Sequence, residues 1–228
     1  INLDKKKGTL LDLTAHFKDF ALSPFNPFLE GIFYDLRGTM SGQVKINGSV
    51  TDPLMDGTLT LHKAGVGITY LKLNTDIQEG ARIKVNNKTF DIDNWLLTDT
   101  AYKTQATLNG SIRHNRLLDW FLDLKLQTLG KRFMVLNTPY TDDALFYGTA
   151  FMKGNATIKG ALDEIAIKVN AKTEEGTSFK IPLSDSESVG DDSFITFIEK
   201  GDKKVKVNRD LESIKGLELN FELDILPS

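Results

Sequence analysis

Polar and apolar residues alternate with a period of two over most of this chain, the mark of strands with one buried and one wet face. In "GQVKINGSV" (residues 42–50) Val44, Ile46 and Val50 point one way, and Gln43, Lys45 and Asn47 the other. The same rule sets Leu59 and Leu61 against Thr58, Thr60 and His62, and Leu71 and Leu73 against Lys72 and Asn74. It sets Ile83 and Val85 against Arg82, Lys84 and Asn86, and continues through Phe90 and Ile92. Leu122, Leu124 and Leu126, then Ile165, Ile167 and Val169, then Phe179, Ile181 and Leu183 follow it too, as does "LELNFELDI" near the end. The pattern predicts an all-β protein. No Pro-rich linker interrupts it, so residues 1–228 are expected to form a single domain.

One short sentence recurs. "GQVKINGSV", "TQATLNGSI" (104–112) and "GNATIKGAL" (154–162) share apolar third, fifth and ninth positions and a glycine at the seventh. The copies start 62 and 50 residues apart, too unevenly for a strict solenoid. Gly48, Gly110 and Gly160 are expected to bend a strand rather than to form the tip of a hairpin, because an apolar residue follows two places later. Three bends of one kind curve a sheet in one direction. Roughly 16 strands side by side at about 4.8 Å give a sheet on the order of 75 Å long, which must curl or split. Its apolar face is then covered by its own curl or by something that is not protein; from pattern alone, a closed β-sandwich is the ordinary alternative.

Helix signals are few. "SPFNPFLEGIF" has Ser23 as an N-cap and Pro24 at the first helical position, predicting one short helix near residues 24–31. "NRLLDWFLDL" suits a helical turn up to Leu122 and a strand from there on. Residues 184–193, "SDSESVGDDS", read as a polar loop, and "EKGDKKVKVNRD" as a charged turn leading into an irregular segment.

Composition narrows the function. A net charge of −3 disfavours nucleic acid, which calls for a strongly basic face. With no cysteine there is no disulfide, thiol chemistry or Cys-ligated zinc. His16, His62 and His114 are far apart and read as solvated surface, so no metal site is expected. Asp185, Glu187, Asp191 and Asp192 share a loop but lack the order of a calcium hand. "GVG" at 65–67 has no lysine–serine pair after it and is no phosphate loop, and "KKK" at 5–7 reads as a wet turn. There is no G-x-S-x-G, and the scattered carboxylates single out no catalytic pair. No enzyme and no cofactor are expected. The opening "INLDKKKGTL" and the close "FELDILPS" both read as cut from something longer.

Several runs, in order, carry a resemblance. Gly38, Gly42, Gly48, Asp52, Pro53, Leu54 and Gly57 fit a G-x-x-x-G-x-(apolar)-x-(apolar)-x-G pattern followed by DP-L-x-G-x-L-x-L. Phe146, Tyr147, Gly148, Gly154 and Gly160 fit an FYG…G…G run, and Gly176, Thr177, Ile181, Pro182 and Leu183 a GT…IPL ending. Over nearly the whole chain this resembles the C-terminal region of the TamB family, translocation and assembly module proteins of Gram-negative bacteria, in its Bacteroidetes type. The resemblance implies a β-taco, a long, mostly antiparallel sheet folded into a trough with an apolar interior. It also implies a periplasmic segment of an inner-membrane-anchored protein, the anchor lying outside this chain. A TamA-like outer-membrane partner and roles in phospholipid movement or outer-membrane protein assembly follow from it. Family members continue past "FELDILPS", so segments meeting that partner are expected to be incomplete here.

A trough makes physical sense. Exposing about fifteen methylenes to water costs on the order of 12 kcal/mol, which a continuous strip of Val, Ile, Leu and Phe removes. The expected lining is Val44, Ile46, Leu59, Leu61, Leu71, Leu73, Ile83, Val85, Leu108, Leu124, Ile158, Ile167 and Ile181. Two functions follow: a conduit for phospholipid, or an assembly factor whose sheet edge pairs with outer-membrane protein strands. A structural or adhesin-type domain is a third, marked by a closed core. Open edges favour pairing, so the isolated fragment is expected to dimerise end to end or to trap lipid.

Overall fold

The computed structural model describes residues 10–29, 33–69, 71–116, 119–141, 146–162, 164–180 and 217–224. The chain opens with β1 (Leu10–Ala21), a 3-10 turn (Ser23–Phe25) and the four-residue α1 (Asn26–Leu29). Two long strands follow, β2 (Phe33–Ser49) and β3 (Asp52–Ile68), then β4 (Leu73–Ile77), β5 (Arg82–Asn87), β6 (Thr89–Asp99) and β7 (Gln105–Asn115). The second half contains β8 (Asp119–Thr128), β9 (Phe133–Thr138), β10 (Tyr147–Ala161), β11 (Glu164–Thr173), β12 (Ser178–Lys180) and β13 (Leu217–Asp224). Among the described residues all thirteen strands join one sheet. Every pairing is antiparallel except that of β13 with β11.

The path across the sheet has ten positions, fewer than the roughly 16 strands the alternation suggested. The physical reason is that strands read separately share one line. β4 and β5 both run against β3, separated only by residues 78–81; β8 and β9 both run against β10, as do β11 and β12. Each break is stitched to its neighbours by backbone bonds. Gly80 donates to the Leu61 carbonyl at 3.0 Å, Leu129 to Gln105 at 2.9 Å, and Glu174 to Phe151 at 2.9 Å.

A strand of seventeen residues would run about 55 Å if straight, far beyond the thickness of a small protein. β2 and β3 are that long, and they bend. Register shifts fall between Phe17 and Phe20, between Tyr34 and Thr39, and between Ile92 and Trp95, opposite the break at 78–81. Together they crease the sheet lengthwise into a trough. The polar side of the crease is clamped by Arg37, which pairs with Asp35 and Asp76 and donates to the Asn74 side chain at 2.7 Å. This explains "GVG". A Cβ on Gly65 would sit 2.3 Å from the Arg37 guanidinium, and one on Gly67 would sit 2.3 Å from the Tyr34 ring.

The repeated nonapeptide falls largely within β2, β7 and β10. Gly110 sits in mid-strand, whereas Gly48 and Gly160 are one residue short of the ends of β2 and β10. Val50, expected on the apolar face, is in the β2–β3 turn and 55% exposed. Gly160 (φ +130°) lies in unbroken registers, and Gly110 (φ +135°) keeps an unbroken register with β8 while β6 gains a residue beside it, between Ile92 and Trp95. At Gly110 a Cβ would stand 2.1 Å from the Asp123 carbonyl oxygen. A partial echo, "ARIKVNNKT" (81–89), has Ile83 and Val85 at the third and fifth positions but Thr89 at the ninth. Asn87 takes the seventh at φ +53°, a conformation asparagine tolerates.

The short helix at 24–31 is corrected in detail. Ser23 does not cap it: Leu22 occupies the cap with no side-chain bond, and a 3-10 turn precedes one turn of α-helix. Residues 30–32 lie outside the described residues, as do 184–193 and the charged turn at 199–210. In the ambiguous run "NRLLDWFLDL", Asp119 onward is strand β8, while Leu117 and Leu118 are outside the described residues.

Gly110→Ala is expected to lower stability by about 3 kcal/mol, through both strain and the clash with Asp123. Gly80→Ala, with nothing within 4 Å of its Cβ, should cost only about 1 kcal/mol. Urea titration of the two variants checks the difference.

Candidate functional site

The registers align inward side chains into rows that run across the strands. In the first row Phe17 faces Gly42, Gly42 faces Leu59, Leu59 faces Ile83 and Ile83 faces Ile92. The row continues through Gly110, Leu124 and Ile158 to Ile167. Two residues along each strand a second row begins at Ala15 and Val44 and passes through Gly57, Val85 and Phe90. It goes on through Ile112, Leu122 and Gly160 to Ile165. Backbone pairing carries both rows on to the positions of Leu219 and Leu217 in β13. Ten strands at about 4.8 Å make each row about 43 Å long, and the rows lie about 6.6 Å apart. Neither row contains a polar side chain from β1 to β11.

These rows form the spine of the main apolar cluster. Val85 is 0% exposed and Leu59, Leu122 and Leu124 are buried, while Phe17, Ile83, Ile158 and Ile167 are half-buried. At the β1 lip, beside Ala15, Leu13 is 47% exposed. An aromatic chain leads out there, from Phe17 to Phe20 (5.7 Å between ring centroids) and on to Phe25 (6.3 Å).

The expected lining residues are distributed unevenly. Leu59, Ile83, Leu124, Ile158 and Ile167 stand in the first row, and Val44 and Val85 in the second. Ile46 lies one pleat further towards the hairpins, between Leu13 and Met55. Leu61, paired with Met40, and Leu108, paired with Trp95 and Leu126, flank the first row on its other side. Leu71 and Leu73 are instead part of a second cluster with Ala106, Phe133, Met134 and Phe151. Ile181 lies outside the described residues. Sequence reasoning missed Ala15, Phe17, Phe90, Ile92, Ile112, Leu122 and Ile165 as lining, although each belongs to an alternating series.

The second cluster exists because β9 folds over. It keeps its pairing with β10, while Asn137 donates its N–H to the Leu71 carbonyl (3.0 Å) and Met134 to the Thr104 hydroxyl (2.8 Å). Thr104 is held in turn by Asp99, a fully buried carboxylate that accepts from the backbone N–H groups of Ala101 (3.0 Å), Tyr102 and Thr104 (both 2.6 Å). Arg132 lies 4.2 Å over the Phe151 ring and Tyr102 meets it edge-on at 4.9 Å. This end of one wall is therefore roofed.

The histidines do not form a set. His16 is exposed, and His62 shares a 2.7 Å hydrogen bond with Glu79. His114 corrects the reading of all three as solvated surface. It is 2% exposed and packed at a tilt against Phe90 and Trp120, with ring centroids 5.9 Å and 5.3 Å away. Its alternation with Ile112, on the inner face, is what carries it inside. Among the described residues no three His, Asp or Glu side chains converge as metal ligands, and the acidic loop containing Asp185 is outside them.

A mostly antiparallel sheet creased into a trough, apolar along its inside and polar outside, is a β-taco. The model of the TamB C-terminal domain matches residues 93–226, more than half of the chain, which belongs to that family. TamB proteins are non-enzymatic proteins of the envelope. No curated protein and no solved structure matches the chain. The match begins within β6, yet both rows pass unbroken from β5 through β6 into β7.

Burial holds the pKa of His114 below the ordinary histidine value; Lys88 adds to the effect and Asp52 opposes it. The unfolded chain takes up this proton at about pH 6.5, where folded His114 is still neutral. Stability should therefore fall as pH drops through 6.5 towards the lower folded value. His114→Phe should flatten that part of the profile, as checked by thermal melts between pH 7.5 and pH 5.

Proposed function

We propose that the two rows carry the acyl chains of phospholipid between the inner and outer membranes. The chain would then be the periplasmic segment of a TamB-like protein anchored in the inner membrane, with a TamA-like protein at its outer end. The observation behind this reading is the absence of any polar side chain in either row over the nine strand positions from β1 to β11. A compact domain needs an apolar interior, but not one kept in register about 40 Å along a single axis. A lipid tail in transit does need it, since each exposed methylene costs about 0.8 kcal/mol. It also needs sites of similar depth, so that none becomes a trap. Rows made only of Val, Ile, Leu, Phe, Ala and Gly offer no polar trap.

A second reading has its own support. Among the described residues β1 pairs only with β2, leaving twelve residues of backbone edge beside the exposed Leu13. Such an edge suits strand addition, either from an outer-membrane protein under assembly or from a second copy of this chain in an end-to-end dimer.

Ile158, between Leu124 and Ile167, separates the two. Ile158→Lys places a charge in the first row and is expected to abolish lipid capture while leaving edge pairing intact. Photo-crosslinking from Val44 and Leu59, compared with the outward Lys45 and Lys84, reads out lipid; a proline in β1 tests pairing. Equal capture from inward and outward positions would rule out the conduit.

A further inference from the structure

The two rows are uniform in polarity but uneven in bulk. Across β1, β2 and β3 the inward positions include Ala15, Gly42 and Gly57; across β7, β8 and β10 they include Gly110 and Gly160. Between these stretches, β5 and β6 contribute Ile83, Val85, Phe90 and Ile92, with no small residue among them. The glycines are required by the approach of neighbouring backbone. A Cβ on Gly42 would stand 2.2 Å from the Thr58 carbonyl oxygen, and one on Gly160 would stand 2.1 Å from that of Glu164. Whatever the cause, no side chain projects into the trough at those points. The interior therefore has less side-chain bulk on either side of β5 and β6 than between them.

Burial singles out one of the four: Ile83 and Phe90 are half-buried and Ile92 is as buried as Leu59 or Leu122. Val85 at 0% is the most enclosed residue in either row. Exposure increases towards the lip, where Leu13 stands beside Ala15. Phe90 is wedged against Trp120 with ring centroids 5.8 Å apart, so it is held in place from the β8 side.

We infer that Ile83, Val85, Phe90 and Ile92 form a waist dividing the lining into two acyl-holding stations, one over β1–β3 and one over β7–β10. This rests on the lipid reading above and adds where along the trough a tail resides. Each station spans three strands, about 10 Å between the outer two. A tail resides where glycine leaves room and steps past the waist only when these four side chains give way. The occupant is the hydrocarbon of a phospholipid, because the rows offer nothing for a head group to bond.

The test places a small photo-reactive side chain at Val44, Val85 or Leu122 in the whole chain. Each protein is checked by thermal melting and mixed with phosphatidylethanolamine in detergent micelles. Capture at Val44 and Leu122 is expected to exceed that at Val85 about fivefold, the ratio for a difference near 1 kcal/mol. Phe90→Ala should bring Val85 towards parity, and the milder Phe90→Leu should do so in part if the alanine variant folds poorly. Equal capture at all three positions, or most at Val85, overturns the waist and leaves the lipid reading standing. So does a Val85 deficit that neither Phe90 variant changes. Capture at none of the three in folded protein overturns the lipid reading and the waist together.

Discussion

Lateral register is the constraint on which the rest of this structure depends. In a sheet the side chains alternate strictly, so a slip of one residue between any two strands would turn one strand's apolar set outward. Along the nine strands that the rows cross, from β1 to β11, the pairings keep two inward positions of each at the same height. The irregularities are placed where they do no harm to that alignment. The shifts after Phe17 and after Ile92, and the break at 78–81, all lie on one side of the first row. Regular pairing aligns the rows, and the irregular line beside them creases the sheet so that its apolar face turns in on itself.

The glycines serve that same alignment. An inward glycine in β7 or β10 lets the neighbouring backbone approach more closely than any side chain permits, and the strand turns there without gaining a residue. A bulge would achieve a similar bend by inserting a residue and shifting the parity. A kinked glycine keeps the count, and hence the row, intact. This is why the nonapeptide recurs with no chemically reactive residue in it: it encodes two inward apolar positions and a bend that costs no register.

The ends of the strands are closed by different means. At the hairpin end, Phe90, His114 and Trp120 pack together on the inner face near the Asp52–Lys88 ion pair. At the other end, β9 is drawn over Leu73 and Ala106 and fastened through Thr104 to the buried Asp99. Polar groups thus hold the rims while the long axis between them stays apolar. The β1 lip, with Leu13 exposed and the Phe17–Phe20–Phe25 chain beside it, has no such closure among the described residues.

Alternation by itself determined that this is an all-β chain, which residues face inward on most strands, and that the repeat glycines lie in strands rather than at hairpin tips. These are local properties, set by a period of two and by the backbone freedom of one residue, and so they are legible in one dimension. The sequence did not determine which inward residues stand side by side. Leu71 and Leu73 alternate as well as Ile83 and Val85 do, yet β9 removes them to a second cluster through bonds to Leu71 and Thr104, sixty-six and thirty residues away from their partners Asn137 and Met134. His114 is turned inward by its alternation with Ile112, but the approach of Phe90 and Trp120 decides how deeply it is buried. Strand lines that are interrupted and resumed, as at 78–81 and 129–132, are invisible to periodicity because each piece is a good strand. Only tertiary pairing decides that two such pieces share one line, since that depends on what the neighbouring strand offers at both ends.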